Sequence, residues 1–110
     1  MAHFMLRWKF SEGSAKALVA HPHDRTERAR TLIEGFGGKL LCYYFAIGEW
    51  DGLGICELAD TTTAVAIAMS ATSTGAFTGW ETTALLTGEE AEAAMHKAHG
   101  TKTGYRAPNN

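Results

Sequence analysis

No stretch of this 110-residue chain approaches the roughly 18 consecutive apolar residues that a membrane-spanning helix requires. Charge of one sign is equally scarce. Ten Lys and Arg stand against 12 Asp and Glu, and the densest basic stretch, Arg25 to Arg30, is interrupted by Glu27. A nucleic-acid groove needs a basic patch, so that partner is excluded. Arg7 and Lys9 lie inside the apolar pattern of the first ten residues, which therefore do not read as a signal peptide. Cysteine is limited to Cys42 and Cys56, with no Cys-x-x-Cys spacing and no neighbouring histidine to suggest a zinc or redox site. Two buried thiols suit a reducing compartment, so the expected location is the cytoplasm. A Gly-rich phosphate loop is missing too, because Gly75-Ala76-Phe77-Thr78-Gly79 precedes a strand instead of opening a helix. No Gly-x-Ser-x-Gly elbow, zincin helix or haem attachment motif occurs. The reading therefore implies no cofactor.

Apolar residues make up 45% and charged residues 20%, the balance of one folded domain rather than of a disordered chain. The most informative segment is Gly48-Glu49-Trp50-Asp51-Gly52. It separates Lys39–Ile47 from Leu53–Leu58, two runs rich in aromatic and branched residues. That pattern predicts an antiparallel hairpin, and it puts Cys42 and Cys56 at near-mirror positions, close across neighbouring strands. Another strand is expected over His3 to Phe10, where Phe4, Leu6, Trp8 and Phe10 alternate with mixed residues.

Helical spacing predicts a short segment over Ser14–Ala20 and a longer helix from about His23 to Phe36, stopped by Gly37-Gly38. Asp24/Arg28 and Glu27/Arg30 are spaced to pair on its outer face. Asp60 is the expected N-cap of a helix from Thr61 to about Thr74. Because no charge occurs between Thr61 and Trp80, both sides of that helix are expected to be covered. A fourth strand over Thr78–Leu86 precedes a capping box, Thr87-Gly88-Glu89-Glu90, which opens a final helix.

The resulting order, β-α-β-β-α-β plus a terminal helix, predicts an α+β, ferredoxin-like domain over residues 1–99 with a flexible tail over 100–110. Both sheet faces read as apolar. Strand two offers Leu41, Tyr43, Phe45 and Ile47 on one side and Leu40, Cys42, Tyr44 and Ala46 on the other. Two helices cover one face only, so a homodimer or higher homo-oligomer joined through the second face is expected.

These elements resemble the GYD-domain family, a small bacterial group. Gly48-Glu49-Trp50-Asp51 matches its hairpin signature, with Trp50 where the family usually has tyrosine. Phe4-Met5-Leu6-Arg7-Trp8, Asp24-Arg25, Gly37-Gly38-Lys39-Leu40, Asp60, Glu81-Thr82 and Leu85-Leu86-Thr87 also fit. The resemblance implies association of the dimeric α+β barrel type and no established activity. An indole at position 50 does not act as a phenolic acid or base.

The candidate ligand-binding residues are Arg7, Tyr44, Glu49, Trp50, Asp51 and Glu81. Arg7 and Glu81 suit each other as an ion pair between neighbouring strands, or Arg7 suits the carboxylate of a small metabolite. Asp51 and Glu49 mark the hairpin tip, where Asp also serves a turn. Trp8, Phe10, Phe45, Phe77 and Trp80 read as core. The leading expectation is a homo-oligomer that binds a small metabolite. One alternative is a cofactor-independent enzyme of monooxygenase or isomerase type, in which Arg7 fixes an anion and Glu49, Asp51 or a histidine moves a proton. The other is metal binding through His21, His23 and Asp24.

Overall fold

Alternation along Ala2–Phe10 (β1) sends Phe4, Leu6 and Trp8 into the core, each no more than 6% exposed, while His3, Met5, Arg7 and Lys9 take the opposite side. The computed structural model describes residues 1–109. After β1 come α1 (Glu12–Ala20), α2 (Thr26–Gly35), β2 (Lys39–Phe45) and β3 (Gly52–Leu58). They are followed by α3 (Thr61–Thr72), β4 (Phe77–Leu85) and α4 (Gly88–His99). The strands form one antiparallel sheet in the order β2-β3-β1-β4. This is the ferredoxin-like arrangement, in which the two central strands are not consecutive in sequence.

Several expected signals act as read. Asp60 caps α3 by accepting from the Thr63 backbone N–H at 2.8 Å, and Thr87 and Glu90 form the reciprocal capping box of α4. Gly37 leaves α2 with φ of 78°, a left-handed conformation that disfavours a side chain. The start of α2 differs. Asp24 turns back on Thr26, accepting from its backbone N–H at 2.8 Å and its hydroxyl at 2.6 Å, so the helix opens at Thr26 instead of His23. With Asp24 so engaged, its expected pair with Arg28 does not form, whereas Arg30 does pair with Glu27.

The largest correction concerns β2. Leu40 pairs with Cys56 but Cys42 with Ile55, so Leu41 is an extra residue in a bulge. One inserted residue breaks the alternation, so residues before it change company with those after it. Leu40, Tyr43 and Phe45 share the helix-covered face, while Cys42 and Tyr44 lie on the open one. Phe45 stays 57% exposed on the edge strand, and Ile47 lies beyond it in the loop, so neither belongs to the core. The bulge also separates the cysteines by face. Cys56 is fully buried, and burial alone pushes its thiol up to about 11, which leaves it a small apolar filler.

The core lies between the sheet and α2 and α3. Ile33 of α2 and Ala64, Ile67 and Ala71 of α3 pack over Phe4, Leu6, Trp8, Cys56 and Leu58. Glycine permits a close approach here, because a Cβ on Gly52 would sit 2.6 Å from three atoms of the Trp8 indole. The outer side of α3 is open within one copy, with Val65 43% and Met69 65% exposed. No residue of α4 is buried, and residues 100–109 form no regular element.

Candidate functional site

The strand register assembles most of the sequence candidates without further assumption. Tyr44 pairs with Leu53, Leu53 with Arg7, and Arg7 with Glu81, which makes one row across all four strands on the open face. Arg7 donates to Glu81, and Thr83 adds a second bond to the same carboxylate oxygen at 3.1 Å. That pairing, led by the bond from Arg7, holds the Glu81 carboxyl below its usual range. Trp50 folds back from the hairpin over β1, with the Arg7 guanidinium 4.9 Å and the Lys9 ammonium 5.4 Å from its ring. An indole face attracts both cations. The next row, Cys42, Ile55, Met5 and Thr83, is nearly apolar, and beyond it His3 lies 3.3 Å from Glu57.

Asp51 and Glu49 do not join this row. The Asp51 carboxylate accepts from the Phe10 backbone N–H at 2.8 Å, where the β1–β4 register shifts, and the Asp51 N–H donates to the Trp8 carbonyl at 2.9 Å. Its role on these contacts is to fasten the hairpin to the end of β1. Asp51→Ala is expected to cost about 1.5–3 kcal/mol, the range for a hydrogen bond to a charged group. Chemical denaturation checks this, and an unchanged midpoint would show that the fastening carries no weight. Glu49 is exposed at the tip.

His21, His23 and Asp24 do not converge. His23 Nδ1 faces the His21 carbonyl at 2.8 Å, and Asp24 is bound to Thr26. Among the described residues, no group of three or more His, Cys, Asp or Glu side chains could hold a metal ion.

A second site lies on the helix side, where the sequence reading placed only core. A cavity of about 300 Å³ opens between α2, α3 and the sheet. Trp8, Phe10, Tyr43, Phe77 and Trp80 give it an aromatic wall, and Arg25, the N-cap of α2, and Arg28 within the helix bring the only charges to it among the described residues. The aromatics form one continuous cluster of ring contacts. Trp8 lies 5.5 Å from Tyr43 and 5.9 Å from Trp80, while Phe77 lies 5.3 Å from Trp80. Burial raises the Tyr43 phenol above its ordinary range, and the nearby Arg25 charge offsets part of that rise. The available sequence signal was glycine at alternate positions of β3, Gly52 and Gly54, which marks close approach of another group to a strand.

Sheet order, helix placement and the open face together define a ferredoxin-like α+β domain. The model of the GYD domain matches residues 4–95, and the chain belongs to that family. No curated protein matches it. Among solved structures it is similar to the crystal structure of MtbAldR, with a TM-score of 0.58 at 13% identity. The match covers 78% of this chain and 53% of that one, so this chain spans about half the length of its neighbour. Identity that low speaks for the fold alone. No helix among the described residues is long and apolar enough to cross a membrane.

Proposed function

We propose that this GYD domain is a cytoplasmic homodimeric binding protein that joins two copies through the open sheet face and keeps a small-molecule cavity in each. The observation that carries the association is the composition of that face. Its middle row is Cys42, Ile55, Met5 and Thr83, while Arg7 and His3 on either side face Glu81 and Glu57 of the same copy. Burying a charge is costly chiefly when it is left unpaired. Here Arg7 keeps Glu81 and His3 faces Glu57, so a second sheet adds apolar contact without stranding either charge. Arg7, Tyr44, Trp50 and Glu81 then frame the contact at the hairpin end, with Glu49 and Asp51 at its margin. Leu41 and Tyr44, 43% and 62% exposed, extend the apolar area to the edge strand.

Supporting the binding role is the helix-side cavity, which is aromatic, open to solvent and carries few polar groups, as small-molecule sites generally do. Size-exclusion chromatography with light scattering tests the association. The expected mass at micromolar concentration is twice the 11.9 kDa of one chain, and a stable monomer would overturn the dimer.

A further inference from the structure

We propose that the helix-side cavity takes a small amphipathic anion, an aromatic body carrying one carboxylate, with the carboxylate held by Arg25 and Arg28. The inference rests on the small-molecule part of the function proposed above and is independent of self-association.

The apolar half of the argument is the wall. Trp8, Tyr43, Phe77 and Trp80 present ring faces and edges to one space, an arrangement that suits a planar guest. Trp8 is 6% exposed, and its indole N–H is buried without a protein acceptor. A buried donor left unpaired is costly to the fold.

The charged half is the mouth. Arg25, the N-cap of α2, and Arg28, three residues on, line the same cavity. Among the described residues neither has a carboxylate partner, since Glu27 is paired with Arg30 and Asp24 is bonded to Thr26. Arg25 instead has His23 at 3.4 Å, so no acid neutralises it. A neighbouring cavity of about 370 Å³ under α1 also touches Arg25 and Arg28, together with Phe10, Ala76 and Phe77. The two guanidiniums thus stand where two apolar spaces meet. Planar guanidinium matches planar carboxylate through paired hydrogen bonds, which gives the site an orientation as well as a charge preference.

Isothermal titration with three probes of one shape tests the claim: 1-naphthylacetate, its neutral amide 1-naphthylacetamide, and 1-naphthylmethylammonium. The acid is expected to bind about tenfold or more tighter than the amide, the usual advantage of charge-assisted hydrogen bonds. The ammonium is expected to bind more weakly than either. Arg25→Gln with Arg28→Gln should bring the acid to the amide's affinity while leaving the amide within twofold. Ala29→Phe, which fills the cavity from α2, should weaken acid and amide together. Near-equal affinities for all three probes on the unaltered protein would overturn the anion assignment and leave a neutral small-molecule site standing. Absence of binding by any probe up to millimolar concentration would remove both the anion site and the cavity's proposed role. Acid binding unchanged in the double arginine variant would place the anion elsewhere and likewise refute the assignment.

Discussion

Trp8→Ala is expected to destabilise the domain by about 3–5 kcal/mol, toward the upper end of what truncating a buried aromatic costs. The reason is what surrounds the indole. Below it lie Gly52 and Gly54, where a Cβ would fall 2.6 Å and 3.8 Å from the ring. A floor of strand backbone has no side chain that could swing into the vacated space. At the sides stand Tyr43 and Trp80, held in their own ring contacts with Phe45 and Phe77. Cavities that their walls cannot fill are the costly ones. Against a typical total of about 5–15 kcal/mol, one substitution would bring the domain close to unfolding. Trp8→Phe separates packing from polarity. It loses ring volume but also removes the buried N–H, whose unpaired burial costs about 1–3 kcal/mol, so its net effect should be much the smaller. Urea unfolding followed by circular dichroism measures both. A Phe variant as unstable as the Ala variant would mean that the indole N–H is not a liability in this core.

Trp8 also illustrates what the sequence could and could not convey. Its burial follows from period-two alternation with Phe4 and Leu6, a local pattern that any half-buried strand displays. The hairpin, the caps at Asp60 and Thr87 and the glycine stop at Gly37 are similarly local, since each depends on residues within a few positions. The Leu41 bulge is not. Leu40-Leu41-Cys42-Tyr43-Tyr44 is apolar throughout, so nothing in its alternation reports where one residue has been inserted, and Leu40 was grouped with Cys42 and Tyr44 although it shares the face of Tyr43 and Phe45. The cavity was less legible still. Its wall draws on β1, α2, β2, β3, α3 and β4, and no spacing along the chain reveals that six elements leave a common gap. Arg25 and Arg28 offered a faint signal, because the apparent partner Asp24 also had the capacity, like any Asp, to bond its own backbone two residues on. The row from Tyr44 to Glu81 falls between these cases. The Arg7–Glu81 pair was readable from strand order, whereas the reach of Trp50 back over Arg7 and Lys9 depends on how the hairpin tip folds.

Ile55→Glu is expected to dissociate the proposed dimer while leaving each copy folded. Ile55 sits on a central strand, between Cys42 and Met5 in the apolar row of the open face. In a single copy its side chain is already partly accessible, so a carboxylate there keeps contact with water, and its expected cost to folding is no more than about 1 kcal/mol, the span of strand propensities. In the dimer the same carboxylate would be covered, and an uncompensated buried charge costs about 3–5 kcal/mol. At 1.4 kcal/mol per tenfold change, the dissociation constant should rise by roughly a hundredfold to several thousandfold. A two-fold axis would place the substitution in both copies, which adds repulsion wherever the two sites approach. Val19→Glu serves as the control, because Val19 lies on α1, 81% exposed and away from the sheet. Sedimentation velocity should therefore find a monomer for Ile55→Glu and a dimer for Val19→Glu at the same concentration, with matching thermal midpoints at high dilution. Equal dissociation constants for the two variants would assign the association to a different surface. The uncharged outer side of α3, where Val65 and Met69 are exposed, would then be the next surface to substitute.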